Sequence, residues 1–170
     1  PRLQLEKRAA NAEAARIHQV QLIHKHWHER IELYAAPVFE SVQHFQDPPP
    51  LLRERARLTE LAIRDMLRAP LLDRPEIKTA AWDARQAGAT VLLLDDRSEH
   101  DASTDGRNSD GRDAGAALER LVPLALECLN FAGKDKVTIR ILPPGRKYFA
   151  TLTSDSTGIT RVPFPETQTT

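Results

Sequence analysis

Val137–Val162, VTIRILPPGRKYFATLTSDSTGITRV, decides the fold. Val137, Ile139 and Ile141 alternate with polar residues, the period of a half-buried strand. Pro143-Pro144-Gly145 turns the chain, Tyr148 to Thr153 returns, Asp155 to Gly158 turns again, and Ile159 to Val162 closes the run. Strands separated by such short turns form an antiparallel meander. Upstream, Thr90 to Leu94 is a continuous apolar run of strand length, which reads as a strand buried on both faces.

The segments between read as helices. A helix is expected from about Leu51 to Ala69, with Leu58, Leu61, Ala62 and Met66 on one face and Pro70 as its stop. Asp73 and Glu76, with Pro75 in the first turn, resemble a capping box that opens a helix ending near Ala87. Gly88 supplies its C-terminal cap. A further helix is expected from about Ala114 to Ala132, kinked at Pro123 and closed by Gly133. Residues 97–112 are polar and read as a long loop, and the tail after Pro165 as disordered.

The first quarter has a seven-residue repeat. Leu3, Ala10, Ile17, His24, Ile31, Val38 and Phe45 share one register, and Val20, Trp27 and Tyr34 fill the companion seam. Such 3–4 spacing drives helices to supercoil around a buried seam. A dimerising helix over residues 1–46 is therefore expected, interrupted at Pro37 and ended by Asp47-Pro48-Pro49-Pro50. The expected fold class is α+β: a long N-terminal dimerising helix followed by helices packed on a small mixed β-sheet. The domain division is 1–50 for the helix and proline elbow and 51–170 for the compact module. His24 is a seam position that fixes register and titrates near neutral pH.

Composition narrows the function. Lys+Arg and Asp+Glu are both 24, so the net charge of zero gives no electrostatic case for a nucleic-acid partner. Aromatics are only 5%, so the core must be aliphatic. Cys128 is the one cysteine, which excludes an internal disulfide, fits a reducing compartment and reads as a buried inert thiol. No apolar run approaches the roughly 20 residues that cross a bilayer. His18, His24, His26 and His28 lack a convergent fourth ligand, so the tract is read as helix surface and seam rather than metal site. Asp101, Ser103, Asp105 and Gly106 begin like a calcium loop, but Arg112 stands where a bidentate Glu is required. Asp95 and Asp96 end the buried strand, where paired carboxylates could hold magnesium, although no partner ligands accompany them.

Three stretches carry a resemblance: Arg64 to Leu72, Val91 to Asp96, and Val137 to Arg146. They resemble bacterial sensor-histidine-kinase-like proteins, whose ATPase-like domain follows a membrane portion. The resemblance implies a cytoplasmic signalling domain, tethered through a membrane segment preceding Pro1. It places Asn130 and Lys134 in the kinase N-box, with Phe131 where the metal-binding asparagine belongs. It places Asp155 and Gly158 in the adenine-binding Asp-x-Gly-x-Gly box, one glycine short. A degenerate, non-catalytic relative is expected, acting in signal relay as a homodimer with an unknown protein partner, and no cofactor is expected. The alternatives are a nucleotide-binding or active kinase fragment and an oligomeric scaffold.

Overall fold

The computed structural model describes residues 25, 29, 31–33, 35–97 and 113–165. The chain divides into two compact units that meet between Thr59 and Glu60. In the first, residues 31–33 and 35–43 are helical. Helical backbone continues through Pro37, and the stretch where a kink is expected, Leu33 to Pro37, includes residue 34, outside the described residues. Proline at that position forfeits one donor, and the Pro37 carbonyl accepts a 2.7 Å hydrogen bond from the Ser41 hydroxyl. Ala35 is buried, whereas Leu33, Phe39, Phe45 and Leu51 are exposed. His24 and the upstream seam positions lie outside the described residues.

Helix α1, Pro50–Arg68, crosses the boundary between the units. In the second unit a 3-10 turn, Pro70–Leu72, precedes α2, Pro75–Gln86, and β1, Thr90–Asp95. Helix α3, Ala114–Asn130, leads into β2, Lys136–Ile141, β3, Tyr148–Ser154, and β4, Gly158–Pro163. The sheet order is β1-β2-β3-β4. β1 and β2 run parallel, joined across α3, and the other neighbours are antiparallel. The class is α+β, with helices against a mixed four-stranded sheet.

The helices follow from periodicity and end signals. In α2, Ile77, Ala80, Ala81, Ala84 and Arg85 are buried, the i, i+3, i+4, i+7, i+8 stripe of an amphipathic helix. Pro75 occupies the first helical position, where its missing donor costs nothing. The expected capping box does not form. Arg74 is the cap residue without a side-chain cap bond, Asp73 pairs with Lys78 at 3.3 Å, and Glu76 turns to Arg74 at 2.8 Å. Gly88 at φ +106° lets the Ala89 amide reach the Ala84 carbonyl at 2.9 Å, which closes the helix end.

In α3 the side chain of Asp113 accepts from the Ala116 amide at 3.0 Å and so starts the helix. Ala117, Leu121, Ala125 and Leu129 recur every fourth residue and are fully buried. The alanines let the helix approach the sheet, and Pro123 sits on the exposed side.

The sheet buries one face. Val91, Leu93, Val137, Ile139, Ile141, Ala150, Leu152 and Val162 join Ile77, Leu121 and Leu129 in one core. The other face carries Leu92 and Leu94 on β1, Thr138 and Arg140 on β2, Thr151 and Thr153 on β3, and Ile159 and Arg161 on β4. β1 is therefore an edge strand buried on one face, not the doubly buried strand its apolar run suggested. Leu92 and Leu94 are only partly buried. β3 carries a register shift between Tyr148 and Ala150, and there Phe149 and Ala150 are buried in succession. A bulge of this kind re-aims a side chain. Phe149 enters the core and meets Phe164 edge-to-face with ring centroids 5.6 Å apart.

Candidate functional site

Two ends of the sheet gather the charged and polar groups. At the first, the start of β2 meets the β3–β4 turn. Asp155 and Gly158 lie in that turn, and Lys134 lies in the α3–β2 connection. The pairing of Val137 with Ser154 brings the two loops together. Asp155 Oδ2 accepts from the Lys136 amide at 3.1 Å. Gly158, at φ +77°, supplies the left-handed residue that lets the hairpin close. Lys134 runs beside Gly88, with its Cγ 3.7 Å from where a Cβ would stand on that glycine. Asn130 lies elsewhere, bordering a shallow depression with Thr79, Asp83 and Leu126. The four residues that resemble nucleotide-box positions are thus split among a hairpin closure, the loop beside Gly88 and a helix–helix depression.

The centre of this end is Asp135, which sequence reasoning did not single out. Its Oδ2 accepts from the Ser154 hydroxyl at 2.9 Å and from the Ser156 amide at 3.0 Å. Its backbone carbonyl accepts from Thr90 at 3.0 Å. Donors from Ser156, then Ser154, hold its carboxyl below the ordinary carboxylate range. A depressed acid contributes stability above its unfolded pKa of about 4, and that contribution is lost as pH falls through the folded value. Asp135→Asn is accordingly expected to lower the urea midpoint at neutral pH, with the gap to wild type closing below pH ~4. A gap that persists unchanged into acid would reject this role.

At the opposite end, the carboxylates considered for magnesium are held by arginines. Asp95 is gripped by Arg97 through two bonds of 3.0 Å, from Nε and Nη2, and by the Arg97 amide at 3.2 Å. Asp96 is bonded to Arg140 across the sheet. Bidentate Arg–carboxylate pairs neutralise the charge a cation would need. No cluster of three or more metal-ligating side chains occurs among the described residues.

Between these ends lies a second buried charge pair. Arg85 is 4% exposed and donates from Nη1 to Asp65 Oδ2 at 2.6 Å and from Nη2 to the Val91 carbonyl at 2.8 Å. Burial pushes the Asp65 carboxyl up, against the opposing pull of Arg85. The amides of Thr90 and Asp96 reach carbonyls of Asp135 and Ile141, so even-numbered peptides of β1 face β2. The Val91 peptide faces the other way, and Arg85 covers its outward carbonyl. The signal in the sequence was a charged residue continuing the apolar stripe of α2.

Cys128 is partly buried rather than fully so. Burial, then Asp135 and Glu127, push its thiol up, the direction of an unreactive cysteine. No helix among the described residues is long and apolar enough to cross a membrane. No family model, no curated protein and no solved structure matches the chain.

Proposed function

We propose that this chain is a non-catalytic signal-relay module of a sensor-kinase-like protein, acting as a homodimer through residues 1–46. The observation that carries the reading is the apolar surface left bare on the single chain. Phe45, a position of the seven-residue register, is 49% exposed, and Leu33 at 72% and Phe39 at 65% lie beside that register in the same stretch. Side chains of this size are covered when a second copy packs against them, and their burial supplies roughly 25 cal/mol per Å². The hairpin gives independent support. Asp155 and Gly158 close a turn, and Asp155 Oδ2 is engaged by the Lys136 amide. In this reading the compact module is cytoplasmic, tethered through chain preceding Pro1, and passes on a change received by the helix.

Two measurements test it. Light scattering of the full chain at micromolar concentration is expected to give a dimer, and Ile31→Asp, which puts a charge in the seam, a monomer. A monomeric wild type overturns the dimer. Calorimetry with ATP and magnesium is expected to show a dissociation constant of about 1 mM or weaker. Micromolar binding abolished in Asp155→Ala would replace this reading with the nucleotide-binding kinase fragment.

A further inference from the structure

The two edges of the sheet differ in kind. At β1 the outward Val91 carbonyl is taken by Arg85 and the 3-10 turn packs alongside the strand. At β4 only Val162 is buried, and the other five residues of the strand are exposed. Alternate peptide groups of an antiparallel edge strand point away from the sheet, unpaired with a neighbouring strand.

Charge sets the partner. The whole chain is neutral, yet residues 136–163 hold Lys136, Arg140, Arg146, Lys147 and Arg161 against the single acid Asp155, a net of +4. The register places Ile159 and Arg161 together on the outer face of β4. Arg161 and Lys147 both lie over the Tyr148 ring, at 5.8 Å and 5.5 Å from its centroid. Arg161 enters no ion pair among the described residues, unlike Arg140, which is held by Asp96. The aromatic ring therefore serves as a seat for two cations.

We propose that the β4 edge binds an acidic peptide segment of a partner protein, which adds to the sheet as a fifth strand. Main-chain bonds to β4 give the attachment, and side chains on the outer face give the selection. With a period of two, that face reads an acid opposite Arg161 and an apolar residue, two positions away, opposite Ile159. Ile159 is 58% exposed and offers the apolar contact. This goes beyond the dimer reading and is independent of it, since β4 lies outside residues 1–46.

The test uses the full chain and a fluorescein-labelled peptide of about eight residues, repeating Thr-Glu-Thr-Val. Anisotropy at physiological ionic strength reads binding, and amide shifts in the nuclear magnetic resonance spectrum locate it. Saturable binding with shifts concentrated in residues 158–163 is expected. Arg161→Glu, at an exposed position, should weaken it about tenfold or more while the fold, read by circular dichroism, is kept. A peptide N-methylated at the glutamate and valine positions keeps the charge but loses the donors that face β4, and should not bind. Equal binding of the N-methylated peptide would reduce the effect to diffuse charge and overturn the proposal. So would the absence of binding at millimolar peptide, or single-stranded oligonucleotide binding where the peptide shows none.

Discussion

Asp65→Asn destabilises the folded chain by about 3–5 kcal/mol, the range for breaking a buried ion pair from one side. The substitution preserves shape and removes only charge. It leaves the Arg85 guanidinium, 4% exposed, with only neutral acceptors, the Val91 carbonyl and the amide oxygen of the substituted side chain. A guanidinium cannot shed its proton to escape burial. The opposite deletion is milder. Arg85→Met leaves Asp65 buried, but a carboxyl already pushed up by burial can take a proton. About 1–3 kcal/mol is expected there, mainly for the Val91 carbonyl left without its donor. Asp65→Leu combined with Arg85→Met should recover much of the Asp65→Asn loss, because apolar replacements remove both desolvation penalties. Urea unfolding of all three variants is the measurement. Equal costs for the two single substitutions would show that the pair is less desolvated than its geometry implies.

The sign with pH follows from the same pair. An acid whose folded pKa is raised favours the folded state below its unfolded pKa, about 4, and that contribution is lost as pH rises through the folded value. Asp65 and Asp135 therefore tilt the acid limb of the stability curve in opposite directions.

Phe149→Ala is expected to cost about 3–5 kcal/mol, the range for deleting a buried aromatic ring. Phe149 is 1% exposed and among the largest fully buried side chains. Its loss removes the ring that meets Phe164 edge-to-face and leaves a void beneath β3. Phe149→Leu refills part of that volume and should cost about 1–1.5 kcal/mol. The midpoint of denaturant unfolding should shift in that order with an unchanged slope. A cost below ~1 kcal/mol for the alanine variant would mean that the bulge relaxes and returns the strand to simple alternation.

That bulge marks where the sequence stops being legible. Strict alternation through Tyr148-Phe149-Ala150-Thr151-Leu152 sends Phe149 to the opposite face from Ala150 and Leu152, and only the register shift brings it into the core. The meander itself was readable, because Pro143-Pro144-Gly145 and Asp155 to Gly158 punctuate it and Val137, Ile139 and Ile141 keep period two. The position of β1 was not. A run of three leucines is the same in a central strand and in an edge strand half covered by its neighbours. The capping box failed because Asp73 and Glu76 each found a cation instead of the helix end.

The candidate site was legible only as turn chemistry. Asp155 and Gly158 stand in the predicted turn, but the carboxylate at its centre, Asp135, is set by a pairing across nineteen residues that no local pattern encodes. Arg85 shows the same limit. Its place on the stripe of α2 was visible, while its partners Asp65 and Val91 come from two other elements.

The unequal edges also govern stoichiometry. A sheet that can be extended from both sides polymerises, because each addition presents a fresh edge for the next. Here the outward Val91 carbonyl of β1 is taken by Arg85 and the 3-10 turn packs alongside that strand, whereas five of the six residues of β4 are exposed. One strand, from a peptide or from a second copy, uses that side up. On the proposed edge, strand addition then stops at one strand instead of presenting a fresh edge for the next.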